Sequence, residues 1–164
     1  MGTPGGILGS AANPLAPGGH PPPGHAPPDR DDAMRYDRTV HLDADFPTTV
    51  AAVREALAAQ GFGILTEIDV TATLKAKLGH DMEDYLILGA CNPPLARQAL
   101  DADRAIGLLL PCNVVVRTDG DRTAVQALDP GVMVTLTGLP ALQPVAEEAT
   151  RRLDAALSTL ENTG

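Results

Sequence analysis

The composition of this chain breaks at residue 34, and the break decides how much of it can fold. Residues 1–33 hold eight of the fifteen prolines and seven of the sixteen glycines, and no aromatic residue. The run Gly18 to His25 cannot bury enough apolar surface to offset the entropy of ordering the chain, so 1–33 reads as a disordered tail. His20 and His25 are metal-capable, but two histidines on such a tail lack the preorganisation a site needs. Met34 reads as the natural translation start, and one domain is expected over 34–164.

The chain as a whole has 164 residues, a hydrophobic fraction of 44% and a formal net charge of −9, from 12 basic and 21 acidic side chains. That balance argues against nucleic acid, whose binding rests on phosphate neutralisation. Four aromatics (Tyr36, Phe46, Phe62 and Tyr85) are too few for base-stacking platforms as well as a core. No apolar run approaches the roughly 20 residues of a membrane-spanning helix. Cys91 and Cys112 lie in apolar segments with no secretory pattern before them, so reduced thiols in a cytoplasm are expected.

From residue 34 onward the punctuation is regular. Tyr36 to Leu42 alternates as a strand. Asp45 can cap a helix whose apolar positions are Phe46, Val50, Val53 and Leu57, ended by Gly61 at a left-handed C′ position. Phe62 to Ile68 reads as a strand with Phe62, Ile64, Thr66 and Ile68 on one face and Leu65, Glu67 and Asp69 on the other. Asp69 can cap a short helix, Val70 to Leu78, closed by Gly79. Tyr85 to Cys91 is a buried strand, and Asn92-Pro93 opens a helix reaching about Ala102. Leu108 to Val116 reads as a long strand in which Pro111 demands an edge, a bulge or a strand start.

Asp119-Gly120 signals a tight hairpin to a strand over Thr123 to Leu128. Leu142, Val145, Ala146, Ala149, Leu153, Ala156, Leu157 and Leu160 form one helical stripe. This order predicts an α+β fold of two layers, an antiparallel sheet with two long helices on one face. Tyr85–Cys91 and Leu108–Val116 are apolar on both faces, more than those helices can cover, which predicts a homodimer.

Three polar-rich stretches stand at element ends. Glu67 and Asp69 share a sheet face about 7 Å apart, a spacing that suits acid–base work by a carboxylate pair. It equally suits Asp69 as a helix cap and Glu67 as an ion-pair partner of Lys75 or Lys77. Cys91 sits at the mouth of a helix whose dipole favours a thiolate, but Pro93 and Pro94 remove two of the free N–H groups there. A strand starting at Cys112 sets the two cysteines opposite one another; a strand starting at Leu108 separates them by over ~10 Å. Two cysteines without a nearby histidine do not complete a zinc site in one chain. No CxxC, nucleophile elbow, phosphate loop or dinucleotide fingerprint is present, and no cofactor is called for.

The stretches Gly61 to Asp69 (GFGILTEID), Ile87 to Pro93 (ILGACNP) and Gly107 to Val114 (GLLLPCNV), in that order, resemble the "domain of unknown function 302" family over about Arg35 to Leu160. The resemblance implies a fold similar to the TATA-binding-protein-like α+β class, usually as a dimer, and no established activity. The acidic charge gives no licence to carry DNA binding over from that fold.

The leading functional expectation is a non-catalytic, dimeric, cytoplasmic module holding a small ligand or partner near Glu67, Asp69, Lys75, Asn92 and Asn113, where polar residues gather at the ends of apolar strands. The alternative is a thiol redox or soft-metal site of Cys91 and Cys112. A third is an enzyme using the Glu67/Asp69 pair.

Overall fold

Asp37–Leu42 forms β1, an edge strand that pairs antiparallel with β5 (Arg122–Leu128). The computed structural model describes residues 35–163; the tail 1–33, its expected disorder and the Met34 start lie outside the described residues. The chain continues through α1 (Phe46–Ala59), β2 (Gly63–Asp69), α2 (Val70–Leu78), β3 (Tyr85–Cys91) and α3 (Pro93–Ala102). A 3-10 turn over Arg104–Leu109 leads into β4 (Cys112–Asp119); after β5 come α4 (Gly131–Thr137), a 3-10 turn over Pro140–Leu142 and α5 (Gln143–Glu161). The five strands form one sheet in the order β1-β5-β4-β3-β2, with every neighbouring pair antiparallel. This is an α+β domain.

The helix starts follow from their caps. The Asp45 carboxylate accepts the Thr48 N–H at 2.8 Å, Asp69 accepts that of Ala72 at 2.8 Å, and the Asn92 carboxamide accepts that of Leu95 at 3.4 Å. Gly61 (φ 82°) and Gly79 (φ 64°) take the left-handed conformation at the ends of α1 and α2.

Three local expectations need correction. Leu108 and Leu109 belong to the 3-10 turn, and β4 starts at Cys112, because Pro111 cannot donate to a ladder. Asp119 pairs with Arg122, so the hairpin's two turn residues are Gly120 and Asp121. A bulge between Ile64 and Thr66 shifts the register of β2, so Ile64 joins the face of Glu67 and Asp69 while Thr66 and Ile68 take the other. Helix α4 has no counterpart in the sequence reading; Thr135 and Thr137 bond back to main-chain carbonyls within it.

The core lies between one face of the sheet and helices α1 and α5. Val40, Leu42, Leu88, Ala90, Val114, Val116, Val125 and Ala127 pack against Val53, Ala56, Leu57, Leu153, Ala156, Leu157 and Leu160. A second cluster (Leu95, Ala99, Ile106, Met133, Leu142, Val145 and Ala149) gathers α3, both 3-10 turns and α4 on the first half of α5. Arg38 of β1 ties the sheet to α5, its guanidinium donating to both oxygens of Asp154 and to Asp129 at 3.3 Å.

The alternate strand residues make a second sheet face. Its central row runs Ile68, Ile87, Val115, Gln126 and Thr39 across all five strands. None of these belongs to either core cluster, and Ile68 is 48% exposed. Neither β2 nor α2 contains a buried residue.

Candidate functional site

The fold distributes the five candidate ligand-binding residues over four places. Asp69 and Lys75 share a groove between the start of α1 and the α2–β3 loop. Phe46, Pro47, Val50 and Leu86 supply its apolar wall, and Asp69, Lys75, His80, Asp81, Asp84 and Tyr85 its polar lining. The groove measures about 540 Å³. Lys75 reaches across to Asp81, Nζ to Oδ1 at 2.5 Å. Thr71 fastens the helix to the loop, its hydroxyl donating to the Glu83 carbonyl at 2.7 Å and accepting the Tyr85 N–H at 2.9 Å.

Glu67 stands apart from that groove. Its carboxylate pairs with Arg54 of α1, rather than with Lys75 or Lys77, because the strand face carrying Glu67 is turned toward α1. The hydrogen bond from Arg54 holds the Glu67 carboxyl below its ordinary range. A general base working near neutral pH needs a shift in the opposite direction. Asp69 is engaged as the cap of α2. The shared face of the two carboxylates is therefore accounted for by an ion pair and a cap.

Asn92 is buried at the start of α3, with its amide nitrogen near Gly61. Asn113 is exposed on the second sheet face, opposite Gly89. Gly89 is also opposite Thr66, and the Thr66 side chain and the Pro111 ring close over it so tightly that a Cβ would sit 2.2 Å from Thr66 Oγ1 and 2.9 Å from Pro111 Cγ.

Cys91 and Cys112 are both free thiols. Cys112 pairs with Ala90, one residue from Cys91, so the strand start at Cys112 makes the two cysteines ladder neighbours but not direct partners. Both line a narrow cavity of about 30 Å³ with Asn92, Leu95, Pro111 and Met133. Burial raises the Cys91 thiol above its ordinary range, and burial, with Cys91 adding, pushes Cys112 up to about 11. Among the described residues no three histidine, cysteine or carboxylate side chains come together as a metal site.

The groove residues His80 and Asp84 were not singled out in the sequence. Their only signal is the polar density of Gly79 to Asp84 between a helix and a buried strand, the kind of loop that carries binding residues. Phe46 and Val50 were legible as core positions only; both are partly buried and packed at the margin of the main cluster.

Fold and site together define an α+β domain with a lateral groove and a two-cysteine cavity. Residues 38–160 match the family described as "Domain of unknown function DUF302", and the chain belongs to that family. Among solved structures it is similar to an uncharacterized conserved DUF302 protein from Bacillus stearothermophilus. The identity is 32%, the match covers 78% of this chain and 99% of that one, and the TM-score is 0.72. No curated protein matches the chain. Among the described residues, no helix is long and apolar enough to cross a membrane.

Proposed function

We propose that the protein is a non-catalytic module that binds a small molecule in the groove between α1 and α2. The observation that carries this reading is the groove's size and make-up. At about 540 Å³ it falls in the range of roughly 300–1,000 Å³ typical of small-molecule sites, with an apolar wall and a few polar groups beside it. With Asp69 capping α2 and Asp81 paired with Lys75, the Asp84 carboxylate beside the apolar wall favours a ligand with a cationic group and an apolar body.

The module works as a homodimer in a cytoplasm. The second sheet face supports the dimer: Ile68, Ile87 and Val115 form an apolar row outside both core clusters, a surface that association would cover. The layering, with α1 (14 residues) and α5 (19 residues) on one face of the sheet, supports likeness to the TATA-binding-protein-like class. The net charge of −9 argues against a nucleic-acid partner.

Native mass spectrometry of protein isolated from cells, at a stage gentle enough to retain ligands, tests both parts. A dimer carrying a small organic molecule, displaced or weakened by Asp84→Asn, is the expected result. A monomer free of adducts, with no thermal shift from a library of organic amines, overturns the reading.

A further inference from the structure

We propose that Cys91 and Cys112 form a site for one soft monovalent cation, of which Cu(I) is the probe, at the end of the β3–β4 ladder.

Position is the first argument. Cys112 is the ladder partner of Ala90, and Cys91 is the next residue along. With strands about 5 Å apart and a rise of about 3.4 Å per residue, neighbours on that diagonal have Cα atoms about 6 Å apart. Two cysteine side chains can span a single ion over that distance. Regular alternation would turn consecutive residues to opposite faces, but Cys91 is the last residue of β3, and it lines the same cavity as Cys112.

Size and donor chemistry select the occupant. At about 30 Å³ the cavity has room for a single water or ion and none for an organic molecule, so this site is distinct from the groove. Its wall is apolar apart from the two thiols and Asn92, whose carboxamide oxygen already accepts the Leu95 N–H. No carboxylate or histidine lines it. Hard cations need oxygen donors and are not served here, whereas thiolates select soft ions such as Cu(I). The two thiols are the strong donors, and the Met133 thioether in the same wall is a further soft group.

The step involves no change of oxidation state. Each thiol gives its proton to solvent, two sulfur–copper bonds form, and the buried bis-thiolate complex carries one negative charge. Because each thiol must lose its proton to bind the ion, uptake is opposed at low pH and strengthens as pH rises.

The test is titration of the reduced full chain with Cu(I) under anaerobic conditions against a coloured Cu(I) chelator, with stoichiometry read by native mass spectrometry. One copper per chain is expected, with two sulfur neighbours by X-ray absorption. Cys91→Ser and Cys112→Ser should each weaken retention by more than about 100-fold, beyond the loss typical of an outer-shell change. Circular dichroism checks that each variant is folded. Cys91→Ser, at the more accessible position, decides the matter if Cys112→Ser unfolds. Retention unchanged in Cys91→Ser, no copper held against the chelator, or copper held between two chains would each overturn the proposal. Asp84→Asn, in the groove, should leave copper binding unaltered, so this site and the groove succeed or fail separately.

Discussion

Thr66 and Gly89 face each other across β2 and β3, and the Thr66 hydroxyl occupies the space that any side chain at Gly89 would need. The Pro111 ring closes the same space from the β4 side. Gly89→Ala should therefore cost about 1–3 kcal/mol, the range for overpacking a filled site. Denaturant melts of the single variant and of the double variant with Thr66→Ala check the cause. Partial recovery in the double variant is expected, since Pro111 remains. A neutral Gly89→Ala would mean that the closure over Gly89 is loose.

Leu153 is 1% exposed in the middle of α5 and belongs to the main core cluster. Leu153→Ala should destabilise the domain by about 2–5 kcal/mol, through lost transfer energy and the cavity left behind. Chemical denaturation measures this directly, and a change under about 0.5 kcal/mol, typical of surface positions, would contradict the packing of α5 on the sheet.

Glu148 receives Arg151 Nη2 at 2.6 Å and Arg152 Nε at 2.7 Å. Arg151 first, then Arg152, brings its carboxyl down to about 2, against 4.5 for an ordinary glutamate. A carboxyl whose folded pKa lies below its unfolded one contributes stability that is present above about 4.5 and lost as pH falls toward about 2. Glu148 is at the surface, so solvent keeps the effect small. Glu148→Gln should flatten the fall of melting temperature between pH 4.5 and 2. An unchanged slope would show that the pair contributes nothing to folding.

Cys112 titrates in the other direction. With its thiol pushed up to about 11, only roughly one molecule in a thousand carries the thiolate at pH 8. Iodoacetamide should label Cys91 before Cys112 in the native protein, and both quickly after unfolding. Site-resolved mass spectrometry reads the order. A raised thiol pKa gives stability that is complete below the unfolded value and lost as pH rises through about 11. The alkaline limb of a melting-temperature profile should accordingly be less steep in Cys112→Ala. Fast native labelling of Cys112 near pH 7 would contradict its burial.

The features legible along the chain are those set within a turn or two of a residue. Asp45, Asp69 and Asn92 cap helices because their side chains reach N–H groups three residues on. The stripe from Leu142 to Leu160 is buried because a helix repeats every 3.6 residues. Gly61 and Gly79 end helices because a left-handed residue without a Cβ is unstrained there. What the chain alone left open depends on residues far apart in sequence. The bulge at β2, which turned the partly buried Ile64 toward the core, exists only against β3. Arg54 took Glu67 because α1 lies over that strand face, and Cys112 settled opposite Ala90 because Pro111 delayed the start of β4. The groove gathers Phe46, Asp69 and Asp84 from three separate segments. Capping and periodicity are local free energies and can be read in order; register, ion-pair choice and cavity shape arise when surfaces meet, so the tertiary structure alone decided them.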